Sequence, residues 1–106
     1  MISDEAVEKS VDYLRDSSNE AAQARATRLH MEDYSRVLKA EIMAEHLAEP
    51  VNAQERWAYS DMRYKNHLEL LKKAIYDAER MRFMRGAAEA KLEAWRTFCA
   101  NQRGLG

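Results

Sequence analysis

Glu49-Pro50-Val51-Asn52 carries the only proline of the chain and stands between two long runs of helix-forming residues. Proline has no N–H to donate, its ring clashes with the preceding turn, and it drives the residue before it out of the helical region. A helix therefore ends near Ala48. Asn52 is a good N-cap with Glu55 three residues on, the spacing of a capping box, so a short helix is predicted over 53–59. Ser60-Asp61 offers a further start signal for a second long helix over 61–103. Upstream, Ser3 can cap a first long helix over 4–48, with Asp4 and Glu5 against its positive end. Downstream, Gly104 after Arg103 suits a C-terminal cap.

Little else in the chain breaks a helix: 106 residues include only 3 Gly and 1 Pro. Sandwiches, barrels and βαβ units need a turn signal after each short element, so they are excluded. Two long helices joined by a short connection run antiparallel. The expected fold is thus an all-α antiparallel helical hairpin in a single domain. The apolar residues Leu68, Leu71, Ile75, Ala78, Met81, Met84, Ala88, Leu92, Trp95 and Cys99 approximate a heptad stripe on the second long helix. On the first, Val7, Val11, Leu14, Ser18, Ala21, Ala24, Met31, Tyr34, Leu38 and Ile42 follow a similar course. Ala21, Ala22, Ala24 and Ala26 would face the region from Met81 to Gly86, where small side chains permit close approach. Residues 1–60 hold 7 basic against 12 acidic residues, net -5, and residues 61–106 hold 10 against 6, net +4. The acidic start of the first helix would therefore lie beside Arg85, Lys91, Arg96 and Arg103.

One hairpin cannot cover every apolar residue it carries. Leu70, Ala74, Phe83, Ala87, Ala94 and Phe98 form a second stripe on the second long helix, and Leu29, Val37, Met43, Ala44 and Leu47 add to it on the first. An uncovered patch of that size marks an interface. Pairing two hairpins into a homodimeric four-helix bundle through Leu70, Phe83 and Phe98 is the simplest expectation.

The composition narrows the chemistry. A single Cys excludes a disulfide framework and a Cys-rich zinc site. The residues three before His30, His46 and His67 are Thr27, Met43 and Tyr64, so the Glu-x-x-His of a carboxylate-bridged metal bundle is absent. Cys99 falls at the end of a helix, away from the N-terminal position that would activate a thiol, and reads as a small buried apolar residue. No Gly-rich phosphate loop or Ser–His–acid pattern is present. No enzyme, no cofactor and no metal are expected. The apolar runs are too short to span a membrane and no signal peptide is recognised, so a cytoplasmic location is expected.

Two constellations remain. Arg80, Arg82 and Arg85, with Arg25 and Arg28 opposite them in the hairpin, could contact a nucleic-acid backbone. Trp57 and Tyr59 stand at the hairpin tip with Tyr64 just beyond, where aromatic residues favour partner binding. The stretch Lys91-Leu92-Glu93-Ala94-Trp95-Arg96-Thr97 with Ala100-Asn101-Gln102-Arg103, together with Tyr13-Leu14-Arg15-Asp16 and Pro50-Val51-Asn52-Ala53-Gln54-Glu55-Arg56, resembles small uncharacterised helical proteins of tailed bacteriophages and prophages. The resemblance implies a phage accessory protein in the host cytoplasm, with a link to phage DNA metabolism. The expected function is non-enzymatic: an adaptor or inhibitor of a host or phage protein, acting through protein–protein contacts. The alternative is a DNA-associated accessory factor in phage recombination or replication.

Overall fold

A computed structural model of the chain describes residues 2–105. The fold is all-α, with α1 (Asp4–Asp16), α2 (Ser18–Ala44), α3 (Val51–Ser60) and α4 (Met62–Leu105), and no strand among the described residues. Ser3 caps α1 as expected, its hydroxyl accepting from the Ala6 N–H at 3.1 Å. The first long helix is interrupted at Ser17 and ends at Ala44 rather than Ala48. At the interruption the Leu14 carbonyl accepts from the Ser18 hydroxyl at 2.7 Å and from Arg85 Nη1 at 2.8 Å. Side chains inserted into the ladder deflect a helix locally, and Ser17-Ser18-Asn19 are weak helix formers.

The end of α2 tightens into i→i+3 bonds. Glu45 N–H donates to Ile42 O, His46 N–H to Met43 O and Glu49 N–H to His46 O, each at 3.0 Å. Pro50 then takes the N-cap of α3, and its carbonyl accepts from Ala53 and Gln54 at 3.0 Å. Asn52 is consequently already inside the first turn. The expected capping box with Glu55 does not form, and Asn52 Oδ1 accepts instead from the adjacent Ala53 N–H at 3.0 Å. Asp61, in extended conformation, separates α3 from α4 and caps α4 by accepting from the Arg63 N–H at 2.8 Å. Gly104 lies within α4 and has no positive φ, so it does not act as the C-terminal cap; glycine permits a left-handed conformation without requiring it.

The chain divides into two compact units, Met1–Gln23 with Glu79–Gly106, and Ala24–Ala78. In the first, α1 and the start of α2 run antiparallel to α4: Arg85 Nη1 reaches the Ser17 hydroxyl at 2.7 Å, and Trp95 Nε1 lies 3.4 Å from Asp4 Oδ1. Of the residues expected to pair across the helices, Glu5 pairs with Lys9 and Arg96 with Glu93 on their own helices, and Arg85 reaches Leu14 and Ser17 rather than a carboxylate. In the second unit α2, α3 and the start of α4 enclose a core of Leu38, Ile42 and Ala58, with Met43 and Tyr64 packed against it. Ile42 is the only large side chain described as fully buried.

Burial follows a stricter heptad than the apolar residues do. In the first unit Val7, Ser10, Leu14, Ser17 and Ala21 face inward, with Met81, Arg85, Ala88, Leu92, Trp95 and Cys99 on α4. In the second the inward residues are Ala24, Arg28, Met31, Ser35, Leu38 and Ile42, with Tyr64, His67, Leu71, Ala74 and Ala78 on α4. Among these residues of each unit, steps of 3 and 4 alternate, the 3.5-residue period of a coiled-coil seam, with Ala6, Tyr13 and Lys39 half-buried at its margin. Val11, Ser18, Tyr34, Leu68, Ile75 and Met84, expected in the seam, are exposed, and Ala74 moves from the second stripe into it. Gly86 is also exposed, and a Cβ there would meet nothing within 4 Å, so it does not serve close helix approach.

Candidate functional site

The second unit ends in a braced turn. Arg63 donates through Nη1 and Nη2 to the two Glu45 oxygens at 2.8 and 2.9 Å, and through Nε and Nη2 to Asp61 at 3.0 and 2.9 Å. One guanidinium thus ties the turn after α2 to the α3–α4 junction. Its hydrogen bonds hold both carboxyl groups below their ordinary values, and those carboxylates raise Arg63 in return. Gln54 Nε2 donates to the Glu49 carbonyl at 2.8 Å, which fixes α3 against the same turn.

Trp57 rests on this support. Its indole Nε1 donates to Glu49 Oε2 at 2.6 Å, and its ring stacks on His46 with centroids 4.6 Å apart at 4°. Half of its surface remains exposed, at 49%. Tyr59 is exposed to the same extent, meets the edge of Tyr64 at 5.5 Å and lies under the Lys39 ammonium at 4.8 Å. Tyr64 is half-buried and packs against the Leu38–Ile42–Ala58 core. The three tip aromatics therefore divide: Trp57 and Tyr59 face outward and Tyr64 supports the core. Leu47 (74% exposed), Val51 and Met62 (63% each) add apolar surface in the same unit. Sequence reading did not assign them to the tip; the signal was their position flanking Pro50 and Asp61, where the chain leaves the seam.

The arginines serve varied purposes. Arg80 is exposed, while Arg82 pairs with Glu79 on its own helix at 2.9 Å and covers Phe83 at 4.8 Å. Arg85 is half-buried and directed into the seam toward Leu14 and Ser17. In the other unit Arg25 is exposed and Arg28 is half-buried, 3.6 Å from Glu32. Leu70, Phe83 and Phe98, expected at an oligomer interface, are all exposed on α4.

The histidines are placed by packing. His67 is buried, with Nε2 2.8 Å from the Ser35 hydroxyl and 2.9 Å from the Met31 carbonyl, and the edge of its ring meets Tyr34. His30 stacks on Tyr34, and His46 on Trp57. Among the described residues no three His, Cys, Asp or Glu side chains gather as metal ligands. No helix of the described residues is long and apolar enough to cross a membrane. The chain matches no protein-family model, and no curated protein or solved structure is found to be similar to it.

Proposed function

We propose that the chain is a non-enzymatic accessory protein acting through protein–protein contacts, as an adaptor or inhibitor, with the braced end of the second unit as its contact surface. The observation that carries this reading is exposed apolar and aromatic surface (Leu47, Val51, Trp57, Met62) beside a turn held by Arg63, Glu45, Asp61 and Glu49. A rigid aromatic loses little freedom on binding, which is why such residues concentrate interface energy. The placement among phage proteins of the host cytoplasm rests on the sequence resemblance. The test is capture of host proteins by the full chain and by its Trp57→Ala and Leu47→Ser variants. Loss of a captured protein with an unchanged melting temperature supports the surface; retention by both variants removes it.

Exposed Arg25 and Arg80 favour the DNA-associated alternative. A mobility shift that weakens steeply with salt supports it, and no shift at low salt with either single- or double-stranded DNA eliminates it. Exposed Leu70 and Phe83 favour self-association into a homodimer. Light scattering at micromolar concentration, reporting one or two chain masses, decides that point.

A further inference from the structure

We propose that His46 is a proton-operated clamp on Trp57: as an imidazolium it holds the indole on the turn, and as a neutral imidazole it lets the indole move. This makes the surface assigned to protein contacts pH-dependent, and in that respect it rests on that assignment. The two rings lie nearly parallel, 4° apart with centroids at 4.6 Å. A cation within about 6 Å of a tryptophan centroid is attracted by the negative face of the ring, whereas a neutral ring in the same place gains packing alone. Histidine is the side chain that changes charge between about pH 5 and 8, so the stack alternates between these two strengths. The other histidines do not share this contact: His30 and His67 both meet Tyr34.

The backbone presents the imidazole rigidly. His46 N–H donates to Met43 O, and the His46 carbonyl accepts from the Glu49 N–H, each at 3.0 Å. Trp57 arrives from α3, and its Nε1 donates to Glu49 Oε2 at 2.6 Å. The edge of the indole is thus tied to a carboxylate and its face to an imidazole, while 49% of its surface stays in water. So little packing leaves the face contact much of the task of holding the ring. The charges at this end of the unit suit an imidazolium. The turn supplies Glu45 and Glu49, the α3–α4 junction Asp61, α3 Arg56 and α4 Arg63. Three carboxylates stand against two guanidiniums, and one added positive charge balances them. His46 also acts on Glu45 and Asp61 in the same sense as Arg63, helping to keep both ionised.

The test uses the full chain with Trp95→Phe, which leaves Trp57 as the single tryptophan. Helicity and melting are checked by circular dichroism at each pH. Acrylamide, a neutral quencher, reads how often the indole leaves its seat. Between about pH 8 and about pH 5.5 the quenching constant should fall about twofold as the imidazole takes its proton. That interval lies above the range in which Glu45 and Asp61 titrate, since their ordinary values of 4.5 and 3.8 are lowered here. His46→Gln should abolish the fall and keep the more accessible value throughout. His46→Arg should give the protected value at both ends, because a guanidinium keeps its charge and stacks on an aromatic face. His30→Gln and His67→Gln should leave the fall intact. With both tryptophans retained and replaced by fluorotryptophan, fluorine NMR should show a histidine titration at Trp57 that His46→Gln removes. Equal quenching at both ends in the parent, a fall that survives His46→Gln, or an accessible indole at the upper pH in His46→Arg would overturn the proposal. These measurements are made on the chain alone, so their failure removes the clamp and leaves the contact surface standing; failure of the contact surface is read separately, from capture by Trp57→Ala.

Discussion

Each unit sets a stretch of α1 or α2 against a stretch of α4 with the same seam period, yet the two are filled differently. The unit around the turn closes on Ile42, Leu38 and Ala58 and draws a third helix, α3, over them. In the unit at the chain ends no described helix is drawn over the seam in this way; Ser10, Ser17 and Arg85 occupy inward positions among Val7, Leu14, Met81 and Ala88. Burying an aliphatic side chain stabilises by about 1.5–3 kcal/mol, whereas a hydrogen-bonded polar group in the same place contributes about 1. The same heptad can thus be strong where it is apolar and chiefly selective where it is polar. A polar residue in a seam favours the one alignment in which it is satisfied.

The sharpest way to break this contrast is Ile42→Ala. With no accessible surface at Ile42, the change should cost about 3–4 kcal/mol in urea denaturation. Trp95→Ala, on the half-buried side of the other unit, should cost less, about 1–2 kcal/mol, because much of its ring already meets water. Equal losses for the two would mean that the units do not differ in packing. Arg85→Met should change stability by less than about 1 kcal/mol, since Arg85 is only half-buried and an apolar replacement of a charge in a seam is often neutral. Its effect should appear in alignment: cysteines placed at Ser10 and Ala88 should cross-link cleanly in the parent and less so with methionine at 85. A clean cross-link in both would deny Arg85 any selective role.

The smallest effect concerns pH. Arg63 depresses Glu45 and Asp61 from ordinary values of 4.5 and 3.8, so their contribution is complete above those values and is lost as pH falls through the lower folded ones. Melting temperature should therefore decline below about pH 4.5, and Arg63→Ala should flatten that decline. An unchanged slope in the variant would mean that other carboxylates govern acid unfolding.

The helical architecture was legible from Pro50 and the scarcity of glycine, and the start of α4 from Asp61. The inward face was legible only in part. Choosing the most apolar residue at each turn selects Leu68, Ile75 and Met84, one position from His67, Ala74 and Arg85. The resulting steps on α4, with three threes together and then two fours, drift off a seam that the structure keeps strictly alternating. The inward polar side chains are not legible because their partners are not visible in sequence. His67 finds the Met31 carbonyl and Ser35, and Arg85 finds Leu14 and Ser17, 71 and 68 residues away. The outward aromatics Trp57 and Tyr59 could be found from their place near the proline, whereas the stack of Trp57 on His46 could not: it depends on how the turn over 45–50 folds.

The economy of the connections bears on how the chain meets proteases. A protease must draw an extended stretch of substrate into its cleft, and exposed loop tips normally supply it. Here the helices are separated by Ser17, by residues 45–50 and by Asp61 alone. Within 45–50 the backbone is folded into i→i+3 turns, its tail is held by Gln54, and Pro50 blocks the adjacent bond. Between residues 4 and 105 a nick therefore requires a helix end or this turn to open, so the rate of digestion there measures local unfolding, not the reach of a loop.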